Sequence, residues 1–119
     1  MVILTILVVL VAAADVSGWP PNNGFKRPVR EITLPVGTMI DRYGSRSGRF
    51  VAPYGTPLYQ RSLRLLSSEP YEAYIVLAPI ESVEAGHAVG WFGFLGCGLQ
   101  YRLPRSVADL IADEFLGVL

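Results

Sequence analysis

Gly37-Thr38-Met39-Ile40-Asp41-Arg42-Tyr43-Gly44, then Ser45-Arg46-Ser47-Gly48, then Arg49-Phe50-Val51-Ala52 reads as a β-hairpin. β-branched and aromatic residues favour extended backbone in the first run, so a short strand is expected over residues 38–42, stopped by Gly44. Residues 45–48 have turn chemistry, and residues 49–52 form the return strand. Successive strand side chains point to opposite faces, so Arg42 and Tyr43 diverge. A ligand touched by both must therefore lie at the strand end, near Gly44. Arg49 and Phe50 repeat the cation-aromatic pairing on the return strand.

Outward from the hairpin, Pro53-Tyr54-Gly55-Thr56-Pro57 is a loop, because two prolines and a glycine exclude regular structure. Residues 71–77 begin mixed and become continuously apolar, the pattern of a central strand. Residues 82–90 read as an irregular or edge segment and residues 99–103 as a last strand. Pro104 cannot continue a sheet interior. Ser106 with Asp109 resembles a capping box, and Val107, Leu110 and Ile111 recur at helical spacing, giving an amphipathic helix to about residue 113. Before the hairpin, residues 19–25 read as an extended segment ending in a turn, and residues 26–31 as a charged connector. The fold class expected is α+β: a small single domain dominated by antiparallel strands with one C-terminal helix.

The bulk numbers agree with one domain. The chain has 119 residues, 51% hydrophobic and 17% charged, too apolar for disorder and too short for two cores. Its formal net charge is zero, which does not favour nucleic-acid binding through bulk electrostatics. Every basic residue except Lys26 is Arg, the side chain suited to bidentate phosphate or carboxylate contacts, although an Arg bias also follows from genomic base composition. Cys97 is the only cysteine and His87 the only histidine. An internal disulfide is therefore impossible, and no metal site is expected; nor is a Ser-His or Cys-His hydrolase.

Residues 1–14 are apolar throughout, shorter than the roughly 20 residues of a membrane-spanning helix. We read them as a signal peptide with Ala12 and Ala14 as an A-x-A-like cleavage site. An uncleaved anchor or a gene start set elsewhere are the alternatives. Cleavage implies a secreted or cell-surface protein with no stable membrane insertion.

A second stretch completes the picture: Trp91-Phe92-Gly93-Phe94-Leu95-Gly96-Cys97-Gly98-Leu99-Gln100-Tyr101. Its glycines permit close backbone approach to a ligand, and the Gln100 amide both donates and accepts, which suits a ribose hydroxyl pair. The glycine pattern precedes a strand rather than a helix, so it is neither a Rossmann fingerprint nor a P-loop. With Arg42, Tyr43, Arg49, Phe50 and Arg61, it suggests a site for an anionic ligand with flat rings, such as a dinucleotide.

Residues 19–119 resemble the TNT domain, named for the tuberculosis necrotizing toxin and shared with fungal surface NAD glycohydrolases. The resemblance rests on an ordered set: Pro20-Pro21-Asn22-Asn23-Gly24-Phe25, Leu34-Pro35-Val36-Gly37-Thr38, Asp41-Arg42-Tyr43-Gly44, Gly48-Arg49-Phe50, Arg61-Ser62-Leu63, Tyr71-Glu72-Ala73-Tyr74, Trp91-Phe92 and Gly96-Cys97-Gly98-Leu99-Gln100-Tyr101. It implies hydrolysis of NAD, and of NADP, to nicotinamide and ADP-ribose, with the dinucleotide as substrate and no cofactor. By motif match Gln100 and Arg42 are the catalytic residues, and Tyr43, Phe50 and Arg61 bind substrate. Asp41 and Glu84 are the nearest carboxylates, and a structural role is expected of each. An inhibitor protein is a possible partner, as toxin-like members require. The chain departs from the family's usual residues at Gly90, Cys97 and Leu99, in the loop leading to Gln100. Two other readings are a catalytically inactive dinucleotide-binding or interaction module of the same fold and an ADP-ribosyl transferase; the latter chemistry often uses a glutamate where Gln100 stands.

Overall fold

A computed structural model describes residues 21–26, 28–61, 70–89 and 98–119. The proposed leader, Gly90 and the start of the glycine-rich stretch up to Cys97 lie outside these residues, as do Ser62 and Leu63.

Among the described residues, seven strands form one antiparallel sheet: β1 (Arg30–Leu34), β2 (Met39–Tyr43), β3 (Phe50–Pro53), β4 (Tyr71–Val76), β5 (Ile80–His87), β6 (Leu99–Arg102) and β7 (Leu116–Val118). Their spatial order is β1-β5-β6-β3-β2-β4-β7. The one α-helix among the described residues, α1 (Val107–Ala112), lies between β6 and β7 in sequence. The result is a small domain dominated by a curled antiparallel sheet.

The curl is organised by β3. Its first two residues pair with β6 (Phe50 with Arg102, Val51 with Tyr101). Its last two pair with β2 (Ala52 with Asp41, Pro53 with Ile40). A proline is tolerated there because it closes the strand. Each half of the sheet therefore holds only half of this four-residue strand, and the two halves diverge on either side of it.

One face is the core. Leu34, Ile40, Val51, Tyr74, Val76, Ile80, Val83, Leu103 and Leu116 cluster there with Val107 and Leu110 of α1. The helix start is fully provided for. Ser106 Oγ accepts from Asp109 N at 3.1 Å, while Val107 N and Ala108 N donate to Gly48 and Arg46 carbonyls at 3.0 and 2.8 Å. Donors that a helix N-terminus leaves unsatisfied thus hold the β2–β3 turn.

Three differences from the sequence expectations have physical causes. Residues 82–90 are not an edge segment, since β5 runs from Ile80 to His87 between β1 and β6. Its alternation is broken by Ser82, at φ 60°. Leu34 pairs with Ile80 but Ile32 with Val83, so an extra residue is absorbed as a bulge that lets Ile80 and Val83 share the core face. The charged connector runs into β1, whose first residues Arg30 and Glu31 are exposed while Leu34 is buried. The helix is followed by β7, paired with β4. With three residues, that strand is too short for a periodicity to register.

Candidate functional site

The face opposite the core gathers the cleft. Strand alternation places Asp41 and Tyr43 together on β2, Phe50 and Ala52 on β3, and Gln100 on β6. The ladders fix their register: Ala52 pairs with Asp41, Phe50 with Arg102, and Gln100 with Gly86. Asp41, Tyr43, Phe50, Ala52 and Gln100 line a cleft open to solvent, together with Arg42, Val51, Gln60, Arg61, Ala88 and Leu99. All five residues expected from the sequence (Gln100, Arg42, Tyr43, Phe50 and Arg61) border this one space.

Arg42 belongs by alternation to the core face, at the end of β2. Its Nε donates to the Ser45 carbonyl at 2.7 Å and its Nη1 to the Phe50 carbonyl at 2.9 Å. The β2–β3 pairing ends at Asp41 and Ala52, so this guanidinium links the strands where their ladder has stopped. The side chain fills the space in front of two glycines. A Cβ at Gly48 would overlap the guanidinium, and one at Gly44, at φ +135°, would stand 2.8 Å from Nη2. Arg42 is therefore a fixed charge that also sets Phe50.

Arg61 is buried. Its Nη2 lies 2.6 Å from Asp41 Oδ1, and its Nε and Nη2 donate to the Thr56 carbonyl at 3.0 and 2.8 Å. The Asp41 contact is close but is not aligned as a hydrogen bond, so charge attraction rather than a directed bond holds it. The Asp41 side chain is fully buried. Its Oδ2 accepts from Gly55 N at 2.9 Å and from the Tyr71 hydroxyl at 2.8 Å. The Arg61 guanidinium sits 4.9 Å from the centre of the Tyr43 ring, a cation–π distance. Tyr43 in turn stands 4.8 Å from the Tyr71 ring. Burial, and then the bond to Asp41, push the Tyr71 hydroxyl up to about 12.

Gln100 faces the cleft from β6. Its Nε2 donates to the Asn23 carbonyl at 3.4 Å. Asn23 and Asn22 hold φ of 53° and 55°, a left-handed conformation that Asn tolerates better than most side chains. The same turn delivers Phe25, whose ring lies 6.3 Å from Phe50. Gly98, expected to approach a ligand, approaches the chain itself. A Cβ there would come within 2.9 Å of Gln60, and Gly98 N donates to the Gln60 carbonyl at 3.0 Å. This close contact brings the Arg61 wall onto the start of β6.

Glu84 does not line the cleft. It is half-exposed and pairs with Arg102 at 3.3 Å. Arg49 donates to the Leu103 and Pro104 carbonyls at 2.9 and 3.0 Å, tying the turn to the end of β6. The sequence reading passed over Tyr71, Gln60 and Ala88 as neighbours of the cleft. For Asp41 a signal was available, because alternation put it on the same face as Tyr43.

The family model for TNT, tuberculosis necrotizing toxin, matches residues 33–119. The chain belongs to that family. A similar curated protein is the conidial surface nicotinamide adenine dinucleotide glycohydrolase nadA of Aspergillus fumigatus, 35% identical over 111 residues that cover 82% of this chain and 47% of the relative. Among solved structures, tuberculosis necrotizing toxin complexed with its immunity factor IFT superposes with a TM-score of 0.69 at 26% identity, covering 83% of this chain and 60% of that one. Tse6 in complex with Tsi6 shares the fold at 18% identity, with a TM-score of 0.55 and 98% of its chain covered. This TNT-family chain thus spans about half the length of its curated relative and 60% of the toxin chain.

Proposed function

We propose that this chain hydrolyses the nicotinamide–ribose bond of NAD, and of NADP, giving nicotinamide and ADP-ribose. The observation that carries the reading is the cleft itself, where aromatic Tyr43 and Phe50, cationic Arg42 and Arg61, and the Gln100 amide border one open space. The family, with a surface NAD glycohydrolase as a 35% identical relative, supports it.

The residues suit the reaction. Nicotinamide departs from a pyridinium and becomes neutral as the bond breaks, so its departure needs no general acid, unlike an ordinary glycoside. The task is to hold the ribose in a reactive geometry and to stabilise an oxocarbenium-like centre. With Nε2 on the Asn23 carbonyl, Gln100 offers Oε1 as an acceptor for a ribose hydroxyl. Tyr43 and Phe50 flank the nicotinamide ring, Arg42 offers its charge to the pyrophosphate, and Arg61, paired with Asp41 and set against Tyr43, contributes to substrate binding from the cleft wall. Water then adds to the anomeric carbon and releases one proton.

NAD and NADP are substrates in this scheme, and it draws on no cofactor. A secreted or surface location goes with the reading, as does an inhibitor protein, since tuberculosis necrotizing toxin is seen complexed with its immunity factor. Incubating the purified chain with NAD or NADP and measuring free nicotinamide tests the proposal. Release from both supports it, and release from NAD alone removes NADP. Stabilisation by NAD without product would replace it with an inactive dinucleotide-binding module.

A further inference from the structure

We propose that Asp41 is a positioning residue for this cleft: its buried carboxylate fixes Arg61 against the Tyr43 ring and so sets the ring that lines it. The inference rests on the NAD-hydrolysing reading of the same cleft.

Asp41 is fully buried, and a charge in that position is costly unless opposite charge and hydrogen bonds compensate it. The compensation comes in part from Arg61, which lines the cleft, and from Tyr71, which packs on the cleft residue Tyr43. Oδ1 faces Arg61 Nη2 at 2.6 Å. Oδ2 receives Gly55 N and the Tyr71 hydroxyl at 2.9 and 2.8 Å. Arg61 is located from two sides, by this charge and by the Thr56 carbonyl. Its guanidinium then lies 4.9 Å from the Tyr43 ring centre. Tyr43 meets Tyr71 at 4.8 Å with the rings tilted by 51°, and the Tyr71 hydroxyl returns to Asp41. The four side chains close a circuit with one carboxylate at its centre.

A buried ion pair is a weak source of stability compared with apolar residues of similar volume. This one leaves the Asp41 carboxylate inside and the Tyr43 ring at the cleft, so Asp41 acts through Arg61 and Tyr71. A ring held in register keeps the leaving group aligned, a contribution that appears in turnover more than in ground-state binding.

The test is a double-mutant cycle on the full chain, read by nicotinamide release from NAD and gated by the melting curve in far-ultraviolet circular dichroism. Asp41→Asn keeps the shape and removes the charge that holds Arg61. It should lower kcat about tenfold with KM changed by no more than about twofold. In a Tyr43→Ala background the same substitution should cost nothing further, because the two act as one unit. Multiplicative losses in the double variant, or an unchanged kcat in Asp41→Asn, would overturn the proposal. If Asp41→Asn does not fold, Tyr71→Phe removes only the hydroxyl that reaches Asp41. It should lower kcat about threefold, again only when Tyr43 is present, and full activity would overturn the claim. If the unaltered chain releases no nicotinamide, hydrolysis fails as a reading. The positioning role is then read from the Tyr43 ring resonances by nuclear magnetic resonance: Asp41→Asn should shift or broaden them by releasing Arg61 from the ring, and unchanged resonances would overturn it.

Discussion

Arg42 and Arg61 are legible in the sequence as cations, and their neighbours decide what kind of cation each is. A guanidinium carries several donors, and in both residues some of them are directed at backbone carbonyls. These charges are consequently fixed before any ligand arrives, which is how a preorganised site differs from a surface patch. Gly48 is the residue that makes this possible for Arg42, and no turn propensity predicted that purpose. Gly48→Ala places a methyl group where the guanidinium lies. Urea unfolding should show a loss of about 1–3 kcal/mol, the usual range for overpacking a close contact; an unchanged midpoint would mean that the guanidinium moves aside freely. The tyrosines give a second prediction at this scale. Tyr71 and Tyr74 are both pushed up to about 12, first by burial and then by bonds to Asp41 and Glu72. A raised folded-state value means that the neutral hydroxyl stabilises the fold fully below about pH 10, the unfolded value. That stabilisation fades as the pH climbs toward 12. Spectrophotometric titration should therefore show the two phenols ionising late and together with loss of ellipticity, whereas two more normal transitions in the folded protein would contradict the assignment.

At the scale of elements, the hairpin of β2 and β3 is readable because its strands are short, carry β-branched and aromatic residues and are separated by a polar turn. The Ser106 cap was readable for the same local reason, and Ser106 Oγ does accept from Asp109 N. Ser106→Ala should cost about 1 kcal/mol in thermal unfolding. It should also weaken activity modestly, since the adjoining Val107 and Ala108 amides hold the Gly48 and Arg46 carbonyls of the hairpin turn. Loss of stability with wholly unaffected turnover would uncouple the helix start from the cleft. What local pattern could not supply was β5, where the left-handed Ser82 shifts the register by one residue, or the two ladders that divide β3. Those depend on partners distant in sequence. The site shows the same division. Alternation along one strand predicted which residues diverge, yet only the pairing of β3 with both β2 and β6 brings Tyr43, Phe50 and Gln100 onto one face.

At the scale of the whole molecule, the curl at β3 is the feature that turns scattered motifs into a cleft. One half of the sheet carries Asp41 and Tyr43, the other carries Gln100, and the four-residue strand between them carries Phe50. The contact of Gly98 with Gln60 draws the Arg61 wall against β6. The left-handed turn at Asn22 and Asn23 meets Gln100 from the other side. In the proposed function this cleft breaks the nicotinamide–ribose bond and Gln100 is needed for it. The most direct measurement is chromatographic quantification of nicotinamide and ADP-ribose formed from NAD by the unaltered chain and by Gln100→Ala, with matched circular dichroism spectra. The unaltered chain should give equal amounts of the two products, and the variant none above background. No nicotinamide at high concentrations of the unaltered chain, or undiminished release by the folded variant, would contradict it.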